Sequence, residues 1–114
     1  MDNKIYSFST DDAVDHGVDA AILLHNVRYW LDYARAHDEM KQDGYYWMFM
    51  TASKMQIIMP FWSENKIQKM LKRLVEKGTL ITGEYNKSSW NRTKWYSMPE
   101  FSHSAKRLDL YIVI

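Results

Sequence analysis

The side chains best suited to chemistry fall on one short stretch, Ser63 to Lys77. Glu64, Asn65, Gln68, Lys69, Lys72 and Arg73 lie opposite an apolar stripe of Ile67, Met70, Leu71, Leu74 and Val75 at helical spacing. Amides hydrogen-bond adenine edges, and cations pair with phosphate or guanine, so this set suits recognition rather than bond-making. Lys54 to Lys77 carries six Lys/Arg against two Glu. A solvated helix face has the same composition, so its role depends on its neighbours.

Elsewhere the chain lacks the marks of catalysis. It has no cysteine, which removes thiolate nucleophiles, disulfides and sulfur-ligated metals. His16, His25, His37 and His103 show no ligand spacing. Asp11, Asp12, Asp15 and Asp19 lack the glycine and alternation of a calcium loop, and read as acids at helix starts or as a face for a protein partner. No phosphate loop or nucleophile elbow is present. The expectation is a non-enzyme with no cofactor and no metal. Residues 1–12 do not form a signal peptide and no apolar run crosses a bilayer, so the expected place is the cytoplasm, away from membrane.

The net charge of +1 hides an asymmetry. Met1 to Asp43 holds four Lys/Arg against nine Asp/Glu, and Gly44 onward holds eleven against five. That is −5 followed by +6, an acidic first part and a basic remainder.

The elements that must position the basic stretch follow from caps and periodicity. Ile5 to Phe8 is a short strand or an extended lead-in. Thr10 caps a short helix that Gly17 ends. Val18 to Ala36 is a long scaffold helix, apolar on a broad face. Asp38 to Gly44 is a polar connection, and Tyr45 to Met50 a buried strand. Ser53 to Gln56 has a capping-box pattern opening a brief helix that Pro60 stops. Ser63 caps the basic helix, and Gly78 ends it. Leu80 to Tyr85 and Thr93 to Met98 form a hairpin with a long tip. Phe101 to Arg107 is a candidate helical turn, and the terminal LYIVI needs a partner strand or groove.

Short helix, turn, basic helix and hairpin is the order of a winged helix-turn-helix. The expected fold is therefore α+β, one domain over 1–114 with its core at about 6–98, a long N-terminal scaffold helix and a β-hairpin wing. Its second helix would enter the major groove of double-stranded DNA. Ser53 and Lys54 of the first helix stand beside it. Asn86, Lys87, Ser88, Trp90, Asn91, Arg92 and Lys94 form the wing, where cations neutralise phosphate. Trp90 either wedges against sugar or base, or folds back on the hairpin. The scaffold helix or the terminal strand could also pair two copies into a homodimer.

AAILLHNVRYWLD (Ala20 to Asp32), DGYYW (Asp43 to Trp47), PFWSENKIQKMLKRLVEKGTLITGEYNKS (Pro60 to Ser88) and NRTKWY (Asn91 to Tyr96) resemble a family of small phage and prophage winged-helix domains. These often stand at the N-terminus of phage replication proteins. The resemblance implies DNA binding linked to replication, with Ser63 to Lys77 as recognition helix and Asn86 to Lys94 as wing. Where the family usually has an acid before the Arg-Thr-Lys-Trp-Tyr run, this chain has Asn91. Such replication proteins continue into a replisome-binding region, whereas this chain stops at Ile114. The alternative is a phage module that binds a host protein, as anti-CRISPR inhibitors of bacterial defence do.

Overall fold

Small polar residues and glycines set where each helix begins and ends. The computed structural model describes residues 4–88 and 90–102. The first helix, α1, is Thr10–His16, and its cap is Ser9, whose hydroxyl accepts the Asp12 N–H at 3.4 Å. Thr10, expected as the cap, is instead the first helical residue, because Ser9 is the last in an extended conformation. Gly17, at φ 91°, ends α1 and also precedes α2, Val18–Ala36. A side chain there would be strained, so glycine makes the bend between the two helices. Asp38, at φ 52°, closes α2, with its N–H on the Arg35 carbonyl and that of Glu39 on Ala34.

The connection expected at Asp38 to Gly44 is partly a hairpin. Strands β1 (Lys41–Gln42) and β2 (Tyr45–Tyr46) pair across Asp43 and Gly44, which sit at φ 51° and 83°. Two successive positive φ values match the twist of paired strands. The single strand expected at Tyr45 to Met50 is likewise corrected. It divides at Trp47 into β2 and β3 (Met48–Phe49), which belong to different sheets. Trp47 donates its N–H to the Met40 carbonyl at 2.9 Å and its indole N–H to Gln42 at 2.8 Å. That anchor turns the chain from one sheet to the other.

Helix α3, Ala52–Ile58, is capped by Thr51 rather than by a box starting at Ser53; the Thr51 hydroxyl accepts the Lys54 N–H at 3.1 Å. The helix thus begins one residue before Ser53, which leaves that hydroxyl free of the capping role. Residues 5–8 form no strand, and the Tyr6 hydroxyl donates to the Ile58 carbonyl. The following helix, α4, is Glu64–Glu76 and begins at Ser63 as expected.

Strands β4 (Ile81–Gly83) and β5 (Trp95–Ser97) are shorter than the expected runs. With β3 they form an antiparallel sheet in the order β3-β5-β4, Met48 opposite Tyr96 and Thr82 opposite Tyr96 on its other side. Gly83 carries no side chain where a Cβ would meet the Tyr85 ring at 2.6 Å and Trp47 at 3.1 Å. A 3₁₀ turn, Pro99–Phe101, leads to a bridge between Ser102 and Tyr45. The rest of the expected turn to Arg107, and the LYIVI strand, lie outside the described residues.

The described residues thus make an α+β structure of four helices and two small antiparallel sheets. Its core joins Leu23, Leu24, Val27 and Leu31 of α2 to Met55 of α3, to Ile67, Leu71 and Leu74 of α4, and to Leu80, Met98 and Phe101. Each large buried side chain contributes about 2 kcal/mol by leaving water, so α4 is fixed beside α3 and into this shared core through its apolar stripe. Among the described residues no helix is long and apolar enough to cross a membrane.

Candidate nucleic-acid interface

Both ends of α4 are closed by specific bonds. The Ser63 hydroxyl accepts the Lys66 N–H at 3.1 Å, and Glu64 sits in the first turn. At the other end Gly78 takes φ 78°, its N–H bonds the Val75 carbonyl, and the Thr79 N–H bonds Leu74, both at 3.0 Å. With Ile67, Leu71 and Leu74 buried, Glu64, Asn65, Gln68, Lys69, Lys72 and Arg73 are all exposed. Helical spacing divides them: Asn65, Lys69 and Lys72 point away from the core, Gln68 leans to one flank and Arg73 to the other.

On the first flank α4 and the β4–β5 hairpin enclose a groove of about 650 Å³. Gln68, Lys72 and Glu76 line it from α4, Thr51 from the start of α3, and Arg92 and Lys94 from the hairpin. Three cations therefore face one carboxylate. On the other flank a cavity of about 450 Å³ is lined by Lys66, Arg73 and Lys77 of α4 and its end, with His16 and Asp19 across from them.

The residues expected to form a wing divide by role. Asn86, expected among the contacts, is committed to the hairpin: its Nδ2 donates to the Asn91 and Thr93 carbonyls, and its Oδ1 accepts the Trp95 indole N–H, all at 2.9 Å. The Ser88 hydroxyl accepts the Trp90 N–H at 3.2 Å, and Asn91 Oδ1 accepts the Thr93 N–H at 3.0 Å. Lys87, Arg92 and Lys94 are exposed. Trp90 is 91 % exposed, so it does not fold back on the hairpin. Ser53 and Lys54 are exposed in the first turn of α3.

The acidic set expected as helix-start acids or a protein-facing surface divides in the structure. Asp12 is buried and its carboxylate is held by the Arg28 guanidinium, which also reaches Glu100 at 3.4 Å. Burial of a carboxylate requires such a partner, so Asp12 fastens α1 to α2. Asp19 pairs with Lys66 at 2.6 Å, while Asp11 and Asp15 remain exposed.

Perturbed ionisation belongs to the scaffold. The Tyr85 phenol is pushed up to about 12, first by donating to Asp43 at 2.6 Å and then by desolvation. Tyr46 is raised by burial and by its bond to Asp38, Tyr96 by burial, and Arg28 by its bond to Asp12. His16, Lys66 and Lys77 were not among the site residues expected from the sequence. Lys66 has the spacing of the basic face, but nothing local brings His16, 61 positions away, against Lys77. No protein-family model, curated protein or solved structure matches the chain.

Proposed function

We propose that this chain is a winged helix-turn-helix protein that binds double-stranded DNA and catalyses no reaction. The observation that carries this reading is the groove where Lys72 of α4 meets Arg92 and Lys94 of the hairpin. Cations from two elements converge there on one concave surface, as phosphate binding requires. The order α2, β3, α3, α4, β4, β5, with β3 paired to β5, supports the winged-helix reading. Asn65 and Lys69 then face base edges, Lys72, Arg92 and Lys94 hold the backbone, and Lys87 and Trp90 reach beyond it on the wing. A role in phage or prophage replication rests on the sequence resemblance. In a low-salt gel shift against random duplex, the protein should retard DNA. Replacement of Lys69, Lys72 and Arg73 by Ala should weaken that binding and flatten its salt dependence. Equal binding by the triple variant overturns the assignment of α4.

A second reading is favoured by a row of aromatics on α2. Tyr29 and Tyr33 are 58 % and 47 % exposed, Trp30 packs edge-on between them, and the His37 ring stacks on Tyr33 at 4.0 Å. Exposed aromatics anchor protein interfaces. A phage module that binds a host defence complex would use this row. It predicts no duplex affinity at low salt, together with retention of a host protein that Tyr29→Ala and Tyr33→Ala abolish.

A further inference from the structure

An α-helix with its side chains is about 10–12 Å across, and the DNA major groove is about 12 Å wide. A helix lying in that groove therefore has one phosphate strand along each flank. The hairpin supplies cations on one flank of α4. The opposite flank holds the cavity of about 450 Å³ where Lys66, Arg73 and Lys77 converge.

Resting on the duplex-binding reading, we propose that this second cavity is a phosphate site for the DNA strand opposite the one held by the wing groove. Three cations line it against one carboxylate, Asp19, which is spent on Lys66. Lys77 is aimed rather than loose: its Nζ donates to the Asp15 carbonyl at 3.3 Å and lies 3.1 Å from His16 Nδ1. The Arg73 guanidinium has no ion pair among the described residues, which leaves its planar donor fork free for a phosphate. Val18 and Ala20 of the α2 first turn complete the wall. The cations carry the site, and the turn's free N–H groups add to them. The α1–α2 joint thus becomes a second clamp, and the duplex is held from both sides of α4.

Salt titrations of duplex affinity test this with two variant pairs, Arg73→Gln/Lys77→Gln and Arg92→Gln/Lys94→Gln. Each pair should lower the slope of log K against log salt by about 2, near 0.9 per phosphate lost. Neutral methylphosphonate patches, placed on one strand at a time, should weaken the native protein from either strand. The Arg73/Lys77 pair should lose sensitivity to one strand and the Arg92/Lys94 pair to the other. Arg73→Gln alone, which breaks no ion pair, should give half the slope change without altering thermal melting. An unchanged slope for Arg73/Lys77 with a lowered slope for Arg92/Lys94 overturns the second clamp and leaves duplex binding standing. Absence of duplex binding by the native protein overturns both. Saturable binding of inorganic phosphate that Arg73→Gln abolishes, with no change in the duplex slope, assigns the cavity to a small phosphate ligand instead.

Discussion

Trp95 on β5 gives its indole N–H to the side-chain oxygen of Asn86 at 2.9 Å, and the amide nitrogen of the same Asn86 binds the Asn91 and Thr93 carbonyls across the tip. One side chain thus replaces the strand ladder beyond Gly83 and fixes how the basic tip leaves the sheet.

Asn86→Ala should cost about 1 kcal/mol, the usual net loss when a hydrogen-bonding group is removed and its partners turn to water. Urea denaturation measures this. Amide exchange at Asn91 and Thr93 should quicken while α2 stays protected, because the loss is local. Asn86→Asp is the sharper variant: it keeps the acceptor for Trp95 but removes the two donors. Protection equal to wild type in that variant would assign the tip's order to something other than Asn86.

The Tyr85 phenol donates to Asp43 at 2.6 Å, which tethers the start of the β4–β5 connection to the β1–β2 turn. Its folded pKa of about 12 lies above the ordinary value of 10.0, so the bond contributes stability fully below pH 10 and loses it as pH rises through 12. Ultraviolet titration of phenolate should show a late-ionising tyrosine that Tyr85→Phe removes and Asp43→Asn returns to an ordinary value. Ionisation at the usual pH in the native protein would exclude the tether in solution.

Much of the helical part was legible, and physics says why. Ser63, Gly78 and the apolar spacing of Ile67 to Val75 act locally, so the ends and orientation of α4 follow from neighbours in sequence. The strands were less legible because Tyr45 to Met50 is uniformly aromatic and apolar, and periodicity cannot reveal a change of sheet at Trp47. The Asp43-Gly44 pair did carry a hairpin signal that composition alone obscured. The basic face was visible, but its division into two flanks was not. Lys66, Arg73 and Lys77 become a site only once the fold brings His16 and Asp19 against them. Asp12 does sit in the first turn of a helix, as read, but its pairing with Arg28 sixteen residues on is set by the fold and not by local sequence.

Arg28→Gln should destabilise the protein by about 2 kcal/mol, since Asp12 would be left as a partly buried carboxylate without its cation. Asp12→Asn in the same background should recover part of that loss by removing the stranded charge. Denaturant midpoints of the two single variants and the double variant give the coupling. Additive losses would mean that the pair does not fasten α1 to α2. Duplex affinity should change little, because neither residue lines either basic flank of α4.

Glu76 is the one carboxylate lining the groove between α4 and the β4–β5 hairpin among the described residues, where it faces Lys72, Arg92 and Lys94. Its side chain makes no ion pair among the described residues, so removing its charge strands no partner. If phosphates occupy that groove, Glu76 repels them, and Glu76→Gln should raise duplex affinity about threefold at low salt, the scale of an exposed charge interaction. The gain should shrink as salt shortens the reach of the repulsion, to nothing near 1 M, where the Debye length is about 3 Å. Thermal melting should be unchanged, so a gain in affinity cannot be traced to a firmer fold. The sign separates the two functional readings: a partner protein seated on Tyr29 and Tyr33 has no contact with the groove, and its binding should not respond to Glu76 at all. Fluorescence anisotropy against a labelled duplex, repeated with the native protein and Glu76→Gln across a salt series, decides between them.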